Sequence, residues 1–409
     1  MMTQIKVPNW IAGVFLLSMW LSASLFSQNA QGSNPPETNT RQILDNSHPG
    51  LPILHLQGTP YEIGFQHGLI MKDRIVELVG LWKKNLESSF HLPADQFIER
   101  FLDSTDYVSA VKKWTPEVWD EIEGISAGSG IEFKTIFTFQ HIDETWTNAR
   151  LLNLGQHCTA IGINNYKKNK GTNILAQTVD ITPFYHGFEI LLDIRDQAGG
   201  KQRLIATFCG NLGATGLNEH LGITCNSLMD LKSSLDGLPV CCVVRKVLSC
   251  GSFEEAEAFV KSVRHASGQN YIIASATQVK SFECSAGQAV EFWPDSSKLY
   301  TFHTNHSLAN KEYHPKYVAY VQKSIGKTVD TYQPQSMRFK SLEKRIKGNH
   351  KINVKTIKAT LASRDFPYDP ICNGSTAMAV IMRFDRNGGK LMIAPGKPDS
   401  TPYVEVRMK

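Results

Sequence analysis

The sequence predicts an α+β fold in which a helical part precedes a layered, sheet-rich part. Up to residue 157 the apolar residues recur mainly at the intervals of about three to four that are typical of helices. From residue 158 onward they alternate with a period of about two, as in half-buried strands. Helical segments interrupt the strand-like segments, and sheets and helices of this kind bury their apolar faces against one another in layers.

The composition is that of an ordinary globular protein. The 409 residues are 42% hydrophobic and 20% charged, which is enough for one large core or two smaller ones. The net charge of +5 is small for this length, and no nucleic-acid-binding motif is present. We therefore expect no nucleic-acid partner.

Residues 1–30 have the pattern of a secretory signal peptide. Lys6 precedes an apolar segment at 10–26, and small or polar residues follow it. A single membrane anchor is the alternative interpretation, because the apolar segment approaches the length of a membrane span. We expect an exported protein, secreted or periplasmic, in which residues 31–49 form a disordered leader.

Residues 50–157 are predicted to be mainly helical. One helix begins at Pro60, because proline is favoured at the first helical position. A second helix follows Thr115, whose side chain is expected to cap it, and ends at the glycine-containing segment 127–130.

Residues 158–409 are predicted to form sheets with helices over them. The strands are expected after the hairpin described below, at 188–193, 203–208, 222–226, 271–276, 289–292, 300–303, 377–384 and 390–394. The helices are expected at 239–249, 253–263, 312–324 and 336–347.

The cysteines give no sign of a metal site. The chain has eight, and no two of them form a C-x-x-C pair, so we predict no metal ion and no cofactor. In an exported protein Cys241, Cys242 or Cys250 are candidates for disulfides, and the sequence leaves their pairing open.

Cys158 is the candidate nucleophile. It stands at the start of an alternating apolar segment, and a turn at 167–171 leads into a second strand that ends at Asp180. A thiol in this position is typical of a nucleophile that becomes N-terminal when the bond between His157 and Cys158 is cleaved. The freed α-amino group, with an ordinary pKa of ~7.7–8.0, is then matched to a thiol pKa of ~8.5 for proton transfer. The alternative is an internal thiol in an intact chain.

Three polar residues at strand ends are candidate partners of the nucleophile. Asp180 is placed to accept a hydrogen bond from the new terminal ammonium, although a turn-capping aspartate before Thr182 is the alternative. Asn226 is a candidate donor to the oxyanion of an acyl-transfer intermediate, with a structural turn asparagine as the alternative. Asn305 is a second candidate donor, because a polar side chain in that position is costly unless it is partnered.

An ordered set of segments resembles the penicillin acyltransferase family. These self-processing acyltransferases and amidohydrolases belong to the N-terminal-nucleophile superfamily. The matching segments are 58–68, 116–130, 155–159, 176–180, 216–218, 224–226, 304–306, 336–338, 371–372 and 394–398. The resemblance implies a four-layer αββα fold and cleavage before Cys158 into a small chain, 50–157, and a large chain, 158–409. It also implies the roles of nucleophile for Cys158, amine positioning for Asp180 and active-site amides for Asn226 and Asn305.

The chain departs from the family pattern at three positions. His157 stands where glycine is common before the nucleophile, and Val179 where an aromatic residue often precedes the aspartate. Asn373 stands where the family usually has an arginine, and Arg364 and Arg383 are the candidates to replace that cation.

The expected function is that of an exported, self-processing hydrolase or acyltransferase that forms an acyl-enzyme on Cys158. Its expected substrate is a small-molecule acyl amide or acyl thioester. Hydrolysis of an amide is favoured, because coenzyme A thioesters are scarce outside cells. Two alternatives remain: a cysteine acyl hydrolase that is not processed, and a non-catalytic exported binding protein that retained the fold.

Overall fold

Two β-sheets that face one another form the centre of a computed structural model of the protein. The structure describes residues 43–149, 158–197, 200–332, 334–349, 351–385 and 388–408. The predicted signal segment 1–30 and His157 lie outside these residues. None of the helices in the described part of the chain is long and apolar enough to cross a membrane.

The larger sheet has nine strands and the smaller one six. Their orders are β1-β2-β5-β6-β7-β8-β9-β10-β11 and β12-β3-β4-β13-β14-β15. The strands are β1 (Leu44–Asp45), β2 (Ile53–Gly58), β3 (Thr159–Ile163), β4 (Asn173–Asp180), β5 (Glu189–Asp196), β6 (Gln202–Phe208), β7 (Thr215–Asn218), β8 (Leu221–Ser227), β9 (Gln269–Ser275), β10 (Val279–Cys284), β11 (Ala289–Glu291), β12 (Tyr300–His303), β13 (Thr376–Asp385), β14 (Gly388–Ala394) and β15 (Val404–Arg407).

The helices form the outer layers. They are α1 (Pro60–Ile70), α2 (Lys72–Phe90), α3 (Ala94–Asp103), α4 (Tyr107–Trp114), α5 (Pro116–Ser129), α6 (Phe133–Gln140), α7 (Ile142–Ala149), α8 (Asn165–Asn169), α9 (Val240–Val247), α10 (Phe253–Ser262), α11 (Pro315–Tyr320), α12 (Met337–Ile346) and α13 (Val354–Leu361). A π-helical turn at Val321–Ile325 continues α11. Helices α9 and α10 contact β8 and β9, whereas α12 and α13 contact β12, β4 and β13. The layers are therefore α, β, β and α, and the predicted α+β class is confirmed.

The two sheets pack closely where β3 crosses the larger sheet. A Cβ atom at Gly162 would lie 2.7 Å from a methyl carbon of Val279 and 2.9 Å from one of Ile272, so only glycine fits this crossing. On the outer face of the smaller sheet, Ile161 and Ile174 join a separate apolar cluster with Leu342 of α12. Alternation along β3 thus supplies one core between the sheets and another beneath the helices.

The N-terminal part is less purely helical than the sequence predicts. Strand β2 pairs in parallel with β5, from Ile53 opposite Leu191 to Gly58 opposite Asp196. The short strand β1 lies within 31–49, which the sequence assigns to a leader. Thr115 precedes α5 as expected, but its hydroxyl donates to Val111 O instead of capping the new helix.

Helices α1 and α5 are in backbone contact through glycines. A Cβ atom at Gly124 would lie 2.1 Å from Tyr61 O, and one at Gly64 would lie 2.0 Å from Glu121 O. Gly80 in α2 is different, because nothing lies within 4 Å of its Cβ position. The glycines that interrupt the apolar pattern of the N-terminal part are thus explained by the contact between these two helices.

We predict that Gly124→Ala lowers the free energy of unfolding by about 1–3 kcal/mol or more, because the added methyl group forces the two helix backbones apart. The matched control, Gly80→Ala, adds the same methyl group to a helix with free space around it. It should be neutral or stabilising by up to about 1 kcal/mol. Urea unfolding monitored by circular dichroism measures both values, and equal effects would contradict the packing argument.

Candidate active site

Cys158 and Asp180 meet because of the register of the hairpin between β3 and β4. Thr159 lies opposite Thr178, so the residue before β3 comes next to the end of β4. Cys158 Sγ lies 3.9 Å from Asp180 O, and the cysteine is only partly buried. The structure therefore brings Cys158 and Asp180 together, and the thiol contacts the backbone carbonyl of Asp180, whereas the Asp180 carboxylate contacts Asn373.

The Cys158 side chain opens into a cavity of about 90 Å³. Most of its wall is apolar and includes Ile142, Val179, Phe208, Leu212, Val240 and Met378. Polar side chains also reach the wall, among them those of Gln140, Asp143, Asn211 and Ser227. The cavity combines a nucleophile, apolar surface and a few polar groups, as ligand-binding pockets do.

Asp180 is a buried carboxyl group whose hydrogen-bonding neighbours, Asn373, Thr376 and Thr178, are all neutral. Its Oδ2 accepts from Asn373 Nδ2 at 2.8 Å, and its Oδ1 has no hydrogen-bond partner among the described residues. Burial raises the pKa of Asp180 to about 7, although the positive charge of Arg338 acts in the opposite direction. The alternative role as a turn cap is not observed, because the carboxylate contacts Asn373.

The thiol of Cys158 is held in its neutral form in the intact chain. Burial raises the pKa of Cys158 to about 12, and the nearby negative charge of Asp180 adds to this effect. A thiol with such a pKa is almost entirely protonated at neutral pH, and the thiolate is the reactive form. The intact site therefore needs a base before Cys158 can act as a nucleophile.

Arg338 is a cation of the site to which the sequence analysis assigns no role. Its Nη1 donates to Cys158 O at 2.6 Å, and its Nε donates to Asp369 Oδ1 at 2.6 Å. The two arginines considered as replacements lie elsewhere: Arg364 pairs with Asp399 near the surface, and Arg383 lies on β13 opposite Ile174. The only signal for Arg338 is its place in one of the segments that resemble the family.

The two predicted asparagines come from different sheets and make different contacts: Asn226 lies near the end of β8, and Asn305 follows β12. Asn226 is fully buried; its Oδ1 accepts from Asn270 Nδ2 at 3.3 Å, while its Nδ2 has no partner within the described part of the chain. Asn305 Nδ2 donates to Ser227 O at 3.0 Å and so holds the end of β8. Cys225 and Ser227, which flank Asn226, line the cavity, and Asn226 itself does not. Oxyanion binding by either asparagine stays a prediction.

Asp143 is a further polar residue that the sequence did not single out. It lies on α7, and its Oδ2 accepts from Ser227 Oγ at 2.5 Å and from Gln269 Nε2 at 2.6 Å. The cavity wall therefore contains residues from both sides of the predicted cleavage point.

All eight cysteines are free thiols, and each except Cys158 is buried. The disulfides considered for Cys241, Cys242 and Cys250 are not formed in the structure.

Comparison with known proteins identifies the family. The structure has two facing sheets and a cysteine at the start of an inner strand. In addition, residues 167–371 match the family model described as acyl-coenzyme A:6-aminopenicillanic acid acyl-transferase. The chain belongs to this family, and the predicted resemblance is confirmed. An amide hydrolase or acyltransferase is the class of enzyme that the family and the relatives support.

Three curated relatives match parts of the chain. Protein dcd1B of Dictyostelium discoideum is 30% identical over 108 residues, which cover 22% of each chain. Beta-alanyl-dopamine/carcinine hydrolase of Drosophila melanogaster is 28% identical over 188 residues, 42% of this chain and 47% of the relative. Protein dcd1A of Dictyostelium discoideum is 24% identical over 231 residues, 48% of this chain and 49% of the relative. The chain thus spans about half or less of the length of these relatives.

Among solved structures, an N-acylethanolamine-hydrolyzing acid amidase ortholog of Caenorhabditis elegans is similar over 55% of this chain and 92% of that one. It is 19% identical, with a TM-score of 0.39.

We predict that Asp180→Asn changes how stability depends on pH. The folded-state pKa of Asp180 is about 7 and its ordinary value is 3.8, so between these values the folded protein binds a proton that the unfolded chain does not. The stability due to this proton is present at low pH and is lost as the pH rises to about 7. Relative to the asparagine variant, the aspartate protein should lose on the order of 2 kcal/mol of unfolding free energy between pH 5 and 7.

Urea unfolding at pH 5, 6, 7 and 8 tests this prediction. Both proteins should carry Cys158→Ala, which removes the candidate nucleophile, so that both are compared as uncleaved chains. The exposed-residue control Asp103→Asn should follow its parent at every pH. Parallel curves for the Asp180 pair would show that the buried carboxyl does not titrate in this range.

Proposed function

We propose that the protein is an exported, self-processing N-terminal cysteine hydrolase that acts on acyl amides. The observation that carries this proposal is the position of Cys158, which heads an inner strand with its thiol beside Asp180 and at an apolar cavity. Export rests on the signal-like residues 1–30, and the amide class is supported by the family and by the name of the fly relative.

Self-processing begins when Cys158 Sγ attacks the carbonyl carbon of His157. The peptide C–N bond breaks, the acyl group passes to sulfur, and the departing nitrogen takes up the thiol proton to become the α-amino group of Cys158. Water then hydrolyses the thioester, which restores the thiol and leaves a new carboxylate on the preceding chain. Arg338 assists by holding Cys158 O, so that the cysteine backbone stays fixed while the bond before it reacts.

In the processed enzyme the α-amino group takes the proton from the Cys158 thiol, and the thiolate attacks the substrate carbonyl. Asp180 accepts a hydrogen bond from the resulting ammonium. Asn226 Nδ2 is the proposed donor to the oxyanion, because it has no partner in the described chain and its neighbours Cys225 and Ser227 line the cavity. The intermediate expels the amine, which takes the proton from the α-ammonium. A thioester on Cys158 remains, and water hydrolyses it.

The cavity favours a short acyl group. Its volume of about 90 Å³ is smaller than the roughly 150 Å³ apolar cavity that accommodates benzene in another protein. The β-alanyl group in the name of the fly relative is short and carries an amine. Asp143 on the cavity wall offers a carboxylate to such an amine.

We predict that the wild-type chain is isolated as two fragments, of which the larger begins with Cys158. The Cys158→Ala variant should stay in one piece, because it lacks the attacking sulfur. Cys284→Ala removes another buried thiol, which lies outside the cavity, and should process normally. Intact mass spectrometry and N-terminal sequencing distinguish these forms.

A wild-type chain that stays whole for days would refute self-processing. If that whole chain still hydrolyses amides, and Cys158→Ala does not, the unprocessed cysteine hydrolase is the correct alternative. If it also fails to react with thiol-directed acyl probes, the binding-protein alternative holds.

We predict that acyl chains of up to about four carbons give the highest kcat/KM, with a loss of at least tenfold at about eight carbons, because the longer chain cannot enter the cavity. The measurement uses amides of one fluorogenic amine with acetyl, propionyl, β-alanyl, octanoyl and lauroyl groups. Val179→Phe should narrow the cavity and shift the preference towards acetyl, whereas Phe208→Ala should widen it and shift the preference towards octanoyl. A wild-type preference for lauroyl would contradict the cavity argument.

A further inference from the structure

His141, Cys241 and Cys242 form a buried cluster of potential metal ligands. One ligand atom from each residue lies within 4.8 Å of the other two, and all three side chains are buried. His141 lies between α6 and α7, and the cysteines open α9, a hundred residues further along the chain. No sequence spacing pointed to this cluster, because the fold alone brings the two segments together.

His141 carries the strongest sign of an unrecorded ligand. Its side chain is fully buried, and neither ring nitrogen has a hydrogen-bond partner among the residues that the structure describes. The aromatic rings of Phe137, Tyr107 and Phe101 surround it, with ring centroids 4.5, 5.7 and 6.1 Å away. A buried imidazole without partners is costly, and such groups are rare in folded proteins unless an ion, a water or a function accounts for them.

The two thiols already have the spacing of a metal-bound pair. Their Sγ atoms are 3.8 Å apart. Two thiolates bound to zinc at about 2.3 Å with a tetrahedral angle are also separated by roughly 3.8 Å. A histidine nitrogen completes that geometry at roughly 3.6 Å from each sulfur, so His141 needs to approach by at most about 1.2 Å.

We propose that His141, Cys241 and Cys242 bind a zinc ion next to the substrate cavity. Imidazole and thiolate are ligands that zinc prefers, and three protein ligands leave a fourth position for a further group.

The proposed zinc site adjoins the cavity of the candidate active site. Cys241 lines that cavity, so the ion would fix one of its wall residues. The existence of the metal site does not depend on the proposed hydrolase activity, because its ligands include neither Cys158 nor Asp180.

Cobalt titration of the full chain tests the proposal. The protein carries Cys158→Ala, which excludes metal binding by the candidate nucleophile, and it is reduced and stripped with a chelator. We expect one equivalent of Co²⁺ to give the thiolate charge-transfer band and the visible bands of tetrahedral cobalt, and Zn²⁺ to abolish both. Zn²⁺ should also raise the Tm by mass action.

Cys242→Ser and His141→Phe should each weaken Co²⁺ binding at least tenfold, whereas Cys284→Ala should leave it unchanged. Circular dichroism establishes that each variant is folded. As a second measurement, Zn²⁺ should raise the Tm of Cys284→Ala but not the Tm of Cys242→Ser or His141→Phe. The proposal is overturned if the protein with His141, Cys241 and Cys242 unchanged gives no charge-transfer band with Co²⁺. It is also overturned if Cys242→Ser binds Co²⁺ as tightly as its parent. Isolation of a Cys241–Cys242 disulfide in place of the bound ion would also overturn it.

Discussion

The antiparallel register of β3 on β4 is the constraint on which the candidate site depends. With Thr159 opposite Thr178, Cys158 comes to lie at the end of β4, where Asp180 stands. A slip of one residue would turn every side chain of β4 to the opposite face. Because β4 is buried on both faces, all of these side chains would have to repack, and this fixes the pairing. Gln177 adds a link between the sheets, since its amide donates to Cys225 O at 2.5 Å and accepts from Cys225 N at 3.4 Å.

The charge balance of the site is incomplete in the intact chain. Arg338 is shared between the carboxylate of Asp369 and the carbonyl of Cys158, and Asn373 offers Asp180 only a neutral amide. Burial therefore dominates and raises the pKa of Asp180 to about 7. A terminal ammonium on Cys158 would add a second positive charge to that of Arg338 and lower the pKa of Asp180 further. Under the proposed mechanism, cleavage thus creates both the base that the thiol needs and a further cation near the carboxylate.

The sequence predicts the features of this structure that leave a local pattern. Most strands after Cys158 are found from their period of two, although β7, β10 and β15 were not predicted. The meeting of Cys158 with Asp180 follows from one short hairpin. Strand β2 was missed because its parallel partner β5 is remote in the chain and pairing of this kind leaves no turn signal. Arg338 was missed for a similar reason, since its target Cys158 O is 180 residues away. No short motif records either contact.

The N-terminal part contributes to the site and to the larger sheet. It supplies Asp143 to the cavity wall and β2 to the larger sheet. Buried polar contacts join it to the rest: Glu121 pairs with Arg245, and His67 Nε2 accepts from Gly210 N at 3.0 Å. Removing one partner of a buried ion pair is strongly destabilising, by about 3–5 kcal/mol. Loss of this part would also expose the apolar residues beneath it, so under the proposed mechanism the small chain stays bound to the large one after cleavage.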